Sequence, residues 1–197
     1  GPSNVTGLAM PSRHSSNHSI DDAVHTAQAL GMNHHLHEID AMHTSVENVL
    51  YDVLSNGHPV AGENLQSRLR AILVMGYANA NASMAITTGN KSEIAQGYCT
   101  LYGDMAGGFD VLKDCPKMLV YALARYRNTL GACIPDRVIT RPPSAELAPD
   151  QKDEDSLPPH DVLDQIVELY VEQDASREQM LAAGFSEDDV ARVLRLV

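Results

Sequence analysis

No apolar run in this sequence approaches the ~20 residues that a helix needs to cross a bilayer, and the N-terminus lacks a charged-then-apolar leader. Basic residues are few: 14 Lys and Arg stand against 26 Asp and Glu, a formal net charge of −12 at pH 7. That balance argues against a general binder of nucleic acid or of anionic membranes. It reads as a solubilising surface, with much of the acid after residue 145, in residues 150–155 and 187–189. Cysteine is scarce as well. Cys99, Cys115 and Cys133 are widely spaced, with no Cys-x-x-Cys pair, which suits free thiols in a reducing, cytoplasmic setting. There is no initiator Met, and Gly1-Pro2 reads as native sequence at the start of a fragment. What remains is a globular composition, 44% hydrophobic over 197 residues, long enough for one α/β domain with a real core.

Along the chain, residues 5–10 read as a short strand entering a loop over 11–16. Ser19 is the expected N-cap of a helix over 20–30, with Asp21 and Asp22 in its first turn favouring the positive end of the dipole. Gly31 ends that helix. A second strand over 34–39 completes a β-α-β unit and predicts a parallel sheet. Residues 41–54 are helical by period through Val46, Val49, Leu50, Val53 and Leu54. A longer helix over 64–81 places Leu65, Leu69, Ile72, Leu73 and Met75 inward. After a strand over 82–87, Pro116 opens a helix to about Leu130, Gly131 stops it, and 135–139 form a short helical turn. Residues 141–160 hold five of the ten prolines and, by composition alone, fit a linker. The remainder is helical over 160–172, 176–183 and 186–196, with a capping box from Ser176 and Gln179 and a stop at Gly184. His35 and His37 share a strand face, but no third ligand is evident for a zinc ion.

The most specific stretch is Thr87-Thr88-Gly89-Asn90-Lys91-Ser92-Glu93, followed by Gly97-Tyr98-Cys99-Thr100-Leu101-Tyr102-Gly103-Asp104-Met105-Ala106-Gly107-Gly108-Phe109. The apolar residues 82–86 run straight into it, so a buried strand ends in a polar, glycine-punctuated loop. Open α/β sheets place ligands just outside such strand ends. Four more blocks stand in order around it: Met10-Pro11-Ser12-Arg13-His14-Ser15-Ser16, Glu63-Asn64-Leu65-Gln66-Ser67-Arg68, Arg141-Pro142-Pro143-Ser144-Ala145-Glu146-Leu147 and Asp150-Gln151-Lys152-Asp153-Glu154-Asp155-Ser156-Leu157-Pro158-Pro159. Together these resemble the synthetase domain of NAD synthetase, and most closely its glutamine-dependent form. The resemblance runs from about residue 5 to the last residues. It implies a doubly wound parallel α/β sheet of the adenine nucleotide α-hydrolase-like class with C-terminal helices. Residues 1–140 would form the sheet core, 141–160 a loop that closes over the active site, and 161–197 the C-terminal helices.

The resemblance also implies a reaction: ATP-dependent amidation of deamido-NAD through an adenylate, with ammonia as nucleophile. Glu93 is then the magnesium candidate, since Mg²⁺ is usually held by one or two carboxylates plus phosphate and water; taken alone, it equally stabilises a helix N-terminus. Thr88, Lys117 and Ser144 match positions near ATP, and Arg13 is the chosen charge of the adenine-binding loop. Asn64 and Arg68, four apart on one helix face, and Asp110 match deamido-NAD contacts. Asp104 corresponds to the aspartate that would accept the ammonium proton; its glycine-flanked setting also suits an Asx turn. Helix 64–81, with Ala71, Gly76, Ala78 and Ala80, suits close packing, and a homo-oligomer is implied.

Two elements of that family pattern are not seen here. The first, central strand with its Ser-Gly-Gly-x-Asp-Ser phosphate loop is absent, and so is the glutamine-hydrolysing domain. Weak or no turnover is therefore expected of these residues alone. Two alternatives stay open. One is another ATP-pyrophosphatase amidoligase, such as a GMP or asparagine synthetase; the other is a non-catalytic binding or oligomerisation module.

Overall fold

The computed structural model describes residues 1–153 and 157–197. Glu154, Asp155 and Ser156, part of the last sequence block, lie outside the described residues. After a 3-10 turn at Pro2–Asn4, β1 (Thr6–Ala9), α1 (Asn17–Leu30) and β2 (Asn33–Leu36) form the expected β-α-β unit. The strands are parallel, in register from Thr6↔Asn33 to Ala9↔Leu36. The N-cap of α1 is Ser16, not Ser19: its hydroxyl accepts the Ser19 amide at 3.2 Å. Extended backbone at Ser16 carries its oxygen to the free N3 amide, so the helix starts earlier and Asp21 and Asp22 fall beyond the first turn. Asp22 is buried and pairs with Arg137 at 2.7 Å. Gly31 closes α1 in the left-handed region, φ 67°.

The predicted helix over 41–54 breaks at Leu50 into α2 (Asp40–Val49) and α3 (Tyr51–Leu54). Val49 and Val53 are exposed, because no described element covers that face. Helix α4 (Val60–Ala80) is 21 residues long and begins four residues early, where Pro59 has the helix-compatible φ that its ring imposes. Leu69 faces inward as predicted, but Ile72 and Met75 are exposed; Gln66, Ser67, Ala71 and Ala78 are buried instead. The inward face of α4 is partly polar because it forms one wall of a cavity.

The strand predicted over 82–87 shrinks to β3 (Ile86–Thr87), with Ala82 turned to φ 49°. It pairs in parallel with β4 (Phe109–Asp110). The α/β class with parallel strands holds, but among the described residues the sheet consists of two separate two-stranded ladders. Among the described residues, one edge of β1 and one edge of β3 carry no strand partner.

Short helix α5 (Lys91–Ala95) follows β3, and α6 (Lys117–Thr129) follows Pro116. Then come α7 (Asp136–Thr140), α8 (His160–Val167), a π-helical turn at Glu168–Glu172, α9 (Arg177–Ala182) and α10 (Glu187–Leu196). The capping box at Ser176 and Gln179 is as predicted, and Gly184, the predicted stop, follows α9 with a φ of 100°. The main apolar core lies among these C-terminal helices: Leu157, Leu163, Ile166, Val167, Met180, Val190 and Val193. Each such side chain contributes roughly 1.5–3 kcal/mol on burial. Ala95 and Tyr98 pack against this core, which anchors the α5 region that carries the candidate site.

Candidate functional site

A cavity of about 350 Å³ lies between α4, the α5 region, the start of α6 and residues 143–153. Ser92 and Asp164, outside its lining, hold the start of α6 that carries Lys117. The Ser92 hydroxyl donates to Asp164, which is itself buried. In turn Ser92 Oγ accepts the Lys117 amide at 2.8 Å, and Asp164 Oδ2 accepts the Met118 amide at 2.8 Å. Side chains from α5 and α8 thus satisfy two of the amide donors that the α6 N-terminus leaves unpaired.

Glu93 is held by a capping box. Its Oε2 accepts the Asn90 amide at 3.1 Å, while Asn90 Oδ1 accepts the Glu93 amide at 3.1 Å. Its other oxygen, Oε1, lies 2.8 Å from Lys117 Nζ. Burial pulls the Lys117 ammonium down, but the Glu93 charge and hydrogen bond outweigh it and hold Lys117 above the usual lysine value.

The glycine-rich turn is moulded onto α4. Asp104 Oδ1 accepts the Thr100 amide and the Ser67 hydroxyl, both at 2.8 Å, and the Asp104 amide donates to Ser67 Oγ at 2.9 Å. Thr100 Oγ1 donates to Asn64 Oδ1 at 2.8 Å. A Cβ on Gly103 would sit 2.3 Å from Ser67 Oγ, so only glycine permits this approach.

Residues 141–153 roof the cavity. Gln66 Nε2 donates to the Leu147 carbonyl at 2.8 Å, and Gln151 Nε2 donates to Glu63 Oε2 at 3.0 Å. The Ser144 hydroxyl donates to the Gln151 carbonyl and accepts the Glu146 amide. On the far side, the Glu146 carboxylate takes the Ser16 amide at 3.2 Å and the Ser16 and Ser19 hydroxyls at 2.9 and 2.8 Å. Asp153 accepts from the Tyr98 hydroxyl at 3.2 Å. Burial raises the Asp153 carboxyl, against the opposing pull of Lys117, Tyr98 and His160. Burial and the Asp153 charge push the Tyr98 phenol up as well.

Five of the nine sequence candidates meet at this cavity: Asn64, Glu93, Asp104, Lys117 and Ser144. Four do not line it. Arg13 is committed to α2, 3.3 Å from both Asp40 and Glu47 and 2.9 Å from Thr44. Arg68 is exposed and donates to the Leu101 carbonyl at 3.2 Å. Thr88 is exposed while its neighbour Thr87 is buried. Asp110 accepts the Leu112 amide at 3.3 Å beyond β4. Sequence reasoning did not single out Glu63, Ser67, Arg70, Tyr98 or Asp153, all of which line the cavity. The polar stripe Glu63, Ser67, Arg70, at i, i+4 and i+7 on α4, was the available signal.

The donors suit Mg²⁺ better than a metal that needs an all-protein cage. Among the described residues no group of three or more His, Cys, Asp or Glu is arranged to hold a metal ion. Mg²⁺ needs one or two carboxylates, with substrate phosphates and water completing its shell. Both Glu93 oxygens are engaged, yet a carboxylate offers about four lone-pair sites, which leaves room for an ion.

The family model for NAD synthase matches residues 1–197. A glutamine-dependent NAD(+) synthetase of Acinetobacter baylyi is 48% identical over 200 residues, covering 100% of this chain and 37% of that protein. The structure of glutamine-dependent NAD+ synthetase from Acinetobacter baumannii, in complex with ADP, superposes with a TM-score of 0.69 at 40% identity, covering 100% of this chain and 35% of that one. An NMN synthetase from Francisella tularensis, at 24% identity and TM-score 0.78 over 97% of this chain and 72% of its own, shares the fold. The chain spans 35–38% of the length of the curated relatives it matches.

Proposed function

The chain belongs to the NAD synthase family, and from that premise we propose that it carries the ligase chemistry of a glutamine-dependent NAD(+) synthetase, the ATP-dependent amidation of deamido-NAD to NAD. The observation that supports this reading is the meeting of Asn64, Glu93, Asp104, Lys117 and Ser144 on one cavity. In the reaction, a nicotinate carboxylate oxygen attacks the α-phosphorus of ATP, forming an adenylate as the bond to pyrophosphate breaks. Ammonia then attacks the acyl carbon, loses a proton, and AMP leaves with the bonding electron pair.

Each residue has a task in that reading. Lys117, kept cationic by Glu93, offsets charge on phosphoryl oxygens, and Ser144 supplies a neutral donor. Mg²⁺ held by Glu93 would neutralise the ATP phosphates when bound. Asp104 has Oδ1 occupied by Thr100 and Ser67; its Oδ2, which makes no hydrogen bond among the described residues, receives the ammonium proton and releases neutral ammonia. Asn64 orients the nicotinate end. Arg68 and Asp110, which do not line the cavity, serve outer parts of the dinucleotide, while Thr88 and Arg13 serve the nucleotide.

Ammonia comes from glutamine hydrolysed on a glutaminase domain outside these residues. The protein works in the cytoplasm as a homo-oligomer. No described helix is long and apolar enough to cross a membrane. Calorimetric titration with deamido-NAD, with and without Mg²⁺-ATP, tests the reading. Saturable binding that Asn64→Ala weakens at least tenfold supports it. A folded chain that binds neither ligand overturns it.

A further inference from the structure

Four carboxylates line the cavity, and each has its own partner. Glu63 takes Gln151 Nε2, Glu93 takes Lys117 and the Asn90 amide, Asp104 takes Thr100 and Ser67, and Asp153 takes Tyr98. Of the two cations in the lining, Lys117 is neutralised by Glu93. Arg70 is different. Its Nε donates to the Met10 carbonyl at 2.9 Å, and its terminal amino groups make no hydrogen bond or ion pair among the described residues. Glu146 is close enough to act on it electrostatically but makes no ion-pair contact with it; that carboxylate is spent on Ser16 and Ser19.

A half-buried guanidinium is costly to leave unpaired. Burial pulls its pKa below the usual arginine value, a sign of that cost. The anchor is also informative. Met10 is the first residue beyond β1, at the carboxyl end of a parallel strand, where α/β sheets hold their ligands. Fixing Nε to a main-chain carbonyl sets the plane of the guanidinium and leaves its far edge, a planar fork of N–H groups, directed to other partners. Such an edge matches the oxygens of a phosphate in bidentate form.

We propose that Arg70 is a phosphate-holding residue of the cavity, gripping phosphoryl oxygens of the nucleotide substrate with the edge of its guanidinium that Met10 leaves free. The assignment of that phosphate to a nucleotide rests on the function proposed above. The phosphate belongs either to ATP or to the dinucleotide, and the two are told apart by titration.

The test is calorimetric titration of the wild-type chain, Arg70→Gln and Arg70→Lys with inorganic pyrophosphate, ATP and deamido-NAD, each variant first confirmed as folded by near-UV circular dichroism. Arg70→Gln is expected to weaken the ligand whose phosphate it holds by about tenfold to a hundredfold. Arg70→Lys, which keeps the charge and loses the fork, should recover only part of that loss; if the Gln variant fails to fold, the Lys variant carries the test. A loss confined to ATP assigns the fork to the triphosphate, and one confined to deamido-NAD assigns it to the dinucleotide. Pyrophosphate binding that depends on Arg70, with neither nucleotide bound, supports the anion site and sinks the proposed function. Unchanged affinities for all three ligands, or no binding of any, overturn the assignment of Arg70.

Discussion

Lys117 Nζ lies 2.8 Å from Glu93 Oε1, and each partner is held in place by a different backbone device. Glu93 is fixed by the Asn90 capping box at the start of α5, and Lys117 by the Ser92–Asp164 cap on α6. The two residues, 24 apart in the chain, therefore join the starts of two helices.

Both partners are mostly shielded, with side-chain exposures of 17% and 21%. Lys117→Met should destabilise the chain by about 1–3 kcal/mol at pH 7, because it leaves Glu93 without its charge partner. Glu93→Gln should cost the same order. The folded-state pKa of Lys117 is raised, so the stability it adds is fully present below the unfolded lysine value and is lost as pH rises through the folded one. Urea melts from pH 7 to above pH 10.5 should show wild type and Lys117→Met converging at the alkaline end.

Asp153 carries the opposite sign from a salt-bridged aspartate. Burial raises its pKa, so the ionised form costs stability at neutral pH and the cost is relieved on protonation. Asp153→Asn keeps an acceptor for the Tyr98 hydroxyl and removes the charge. It should raise stability at pH 7 by about 1 kcal/mol, roughly 2–4 °C in Tm for a chain of this size. The gain should shrink as pH falls through the Asp153 folded pKa. Thermal melts at pH 7 and below check it, and a variant less stable than wild type at pH 7 refutes it.

Gly103→Ala should cost about 1–3 kcal/mol through overpacking. The new Cβ would approach Ser67 Oγ at 2.3 Å and the Cβ atoms of Ser67 and Thr100 at 2.9 Å. Because Ser67 and Thr100 also hold Asp104, the same variant should weaken ligand binding at the cavity. Chemical denaturation and titration of the one variant measure both effects.

Ser92→Ala removes a hydroxyl that joins Asp164 to the Lys117 amide in a buried setting. Leaving those groups short of a partner should cost about 1–3 kcal/mol. Hydrogen exchange should speed up at the Lys117 amide, which loses its acceptor, and remain slow at Met118, which keeps Asp164.

Local rules read well wherever one residue decides the outcome. Gly31, Gly131 and Gly184 all have positive φ at helix ends, and Ser176 with Gln179 makes its predicted capping box. Reading failed where the answer depended on what covers a surface. Val49, Val53, Ile72 and Met75 have helical spacing but remain exposed, whereas Gln66 and Ser67 are buried. An amphipathic period marks a face, and cannot say which neighbour, if any, that face will meet. Residues 141–153 showed the same limit. Proline-rich composition fitted a linker, but long-range hydrogen bonds from Gln66, Glu63, Ser16 and Tyr98 fix the segment as a roof.

The sequence by itself determined the family, the parallel β-α-β opening, most helix stops, and five residues that meet at one cavity. These rest on local dihedral preferences and on residue runs that are specific in order and spacing. Tertiary structure alone decided that Arg13 turns to α2, that Arg68 leaves the cavity, and that Arg70 stands in it with its terminal nitrogens unpaired among the described residues. All three are arginines on long side chains. Where such a chain points is set by the partner within reach, a carboxylate for Arg13 and a carbonyl for Arg68 and Arg70, and that partner lies 27, 33 or 60 residues away along the sequence.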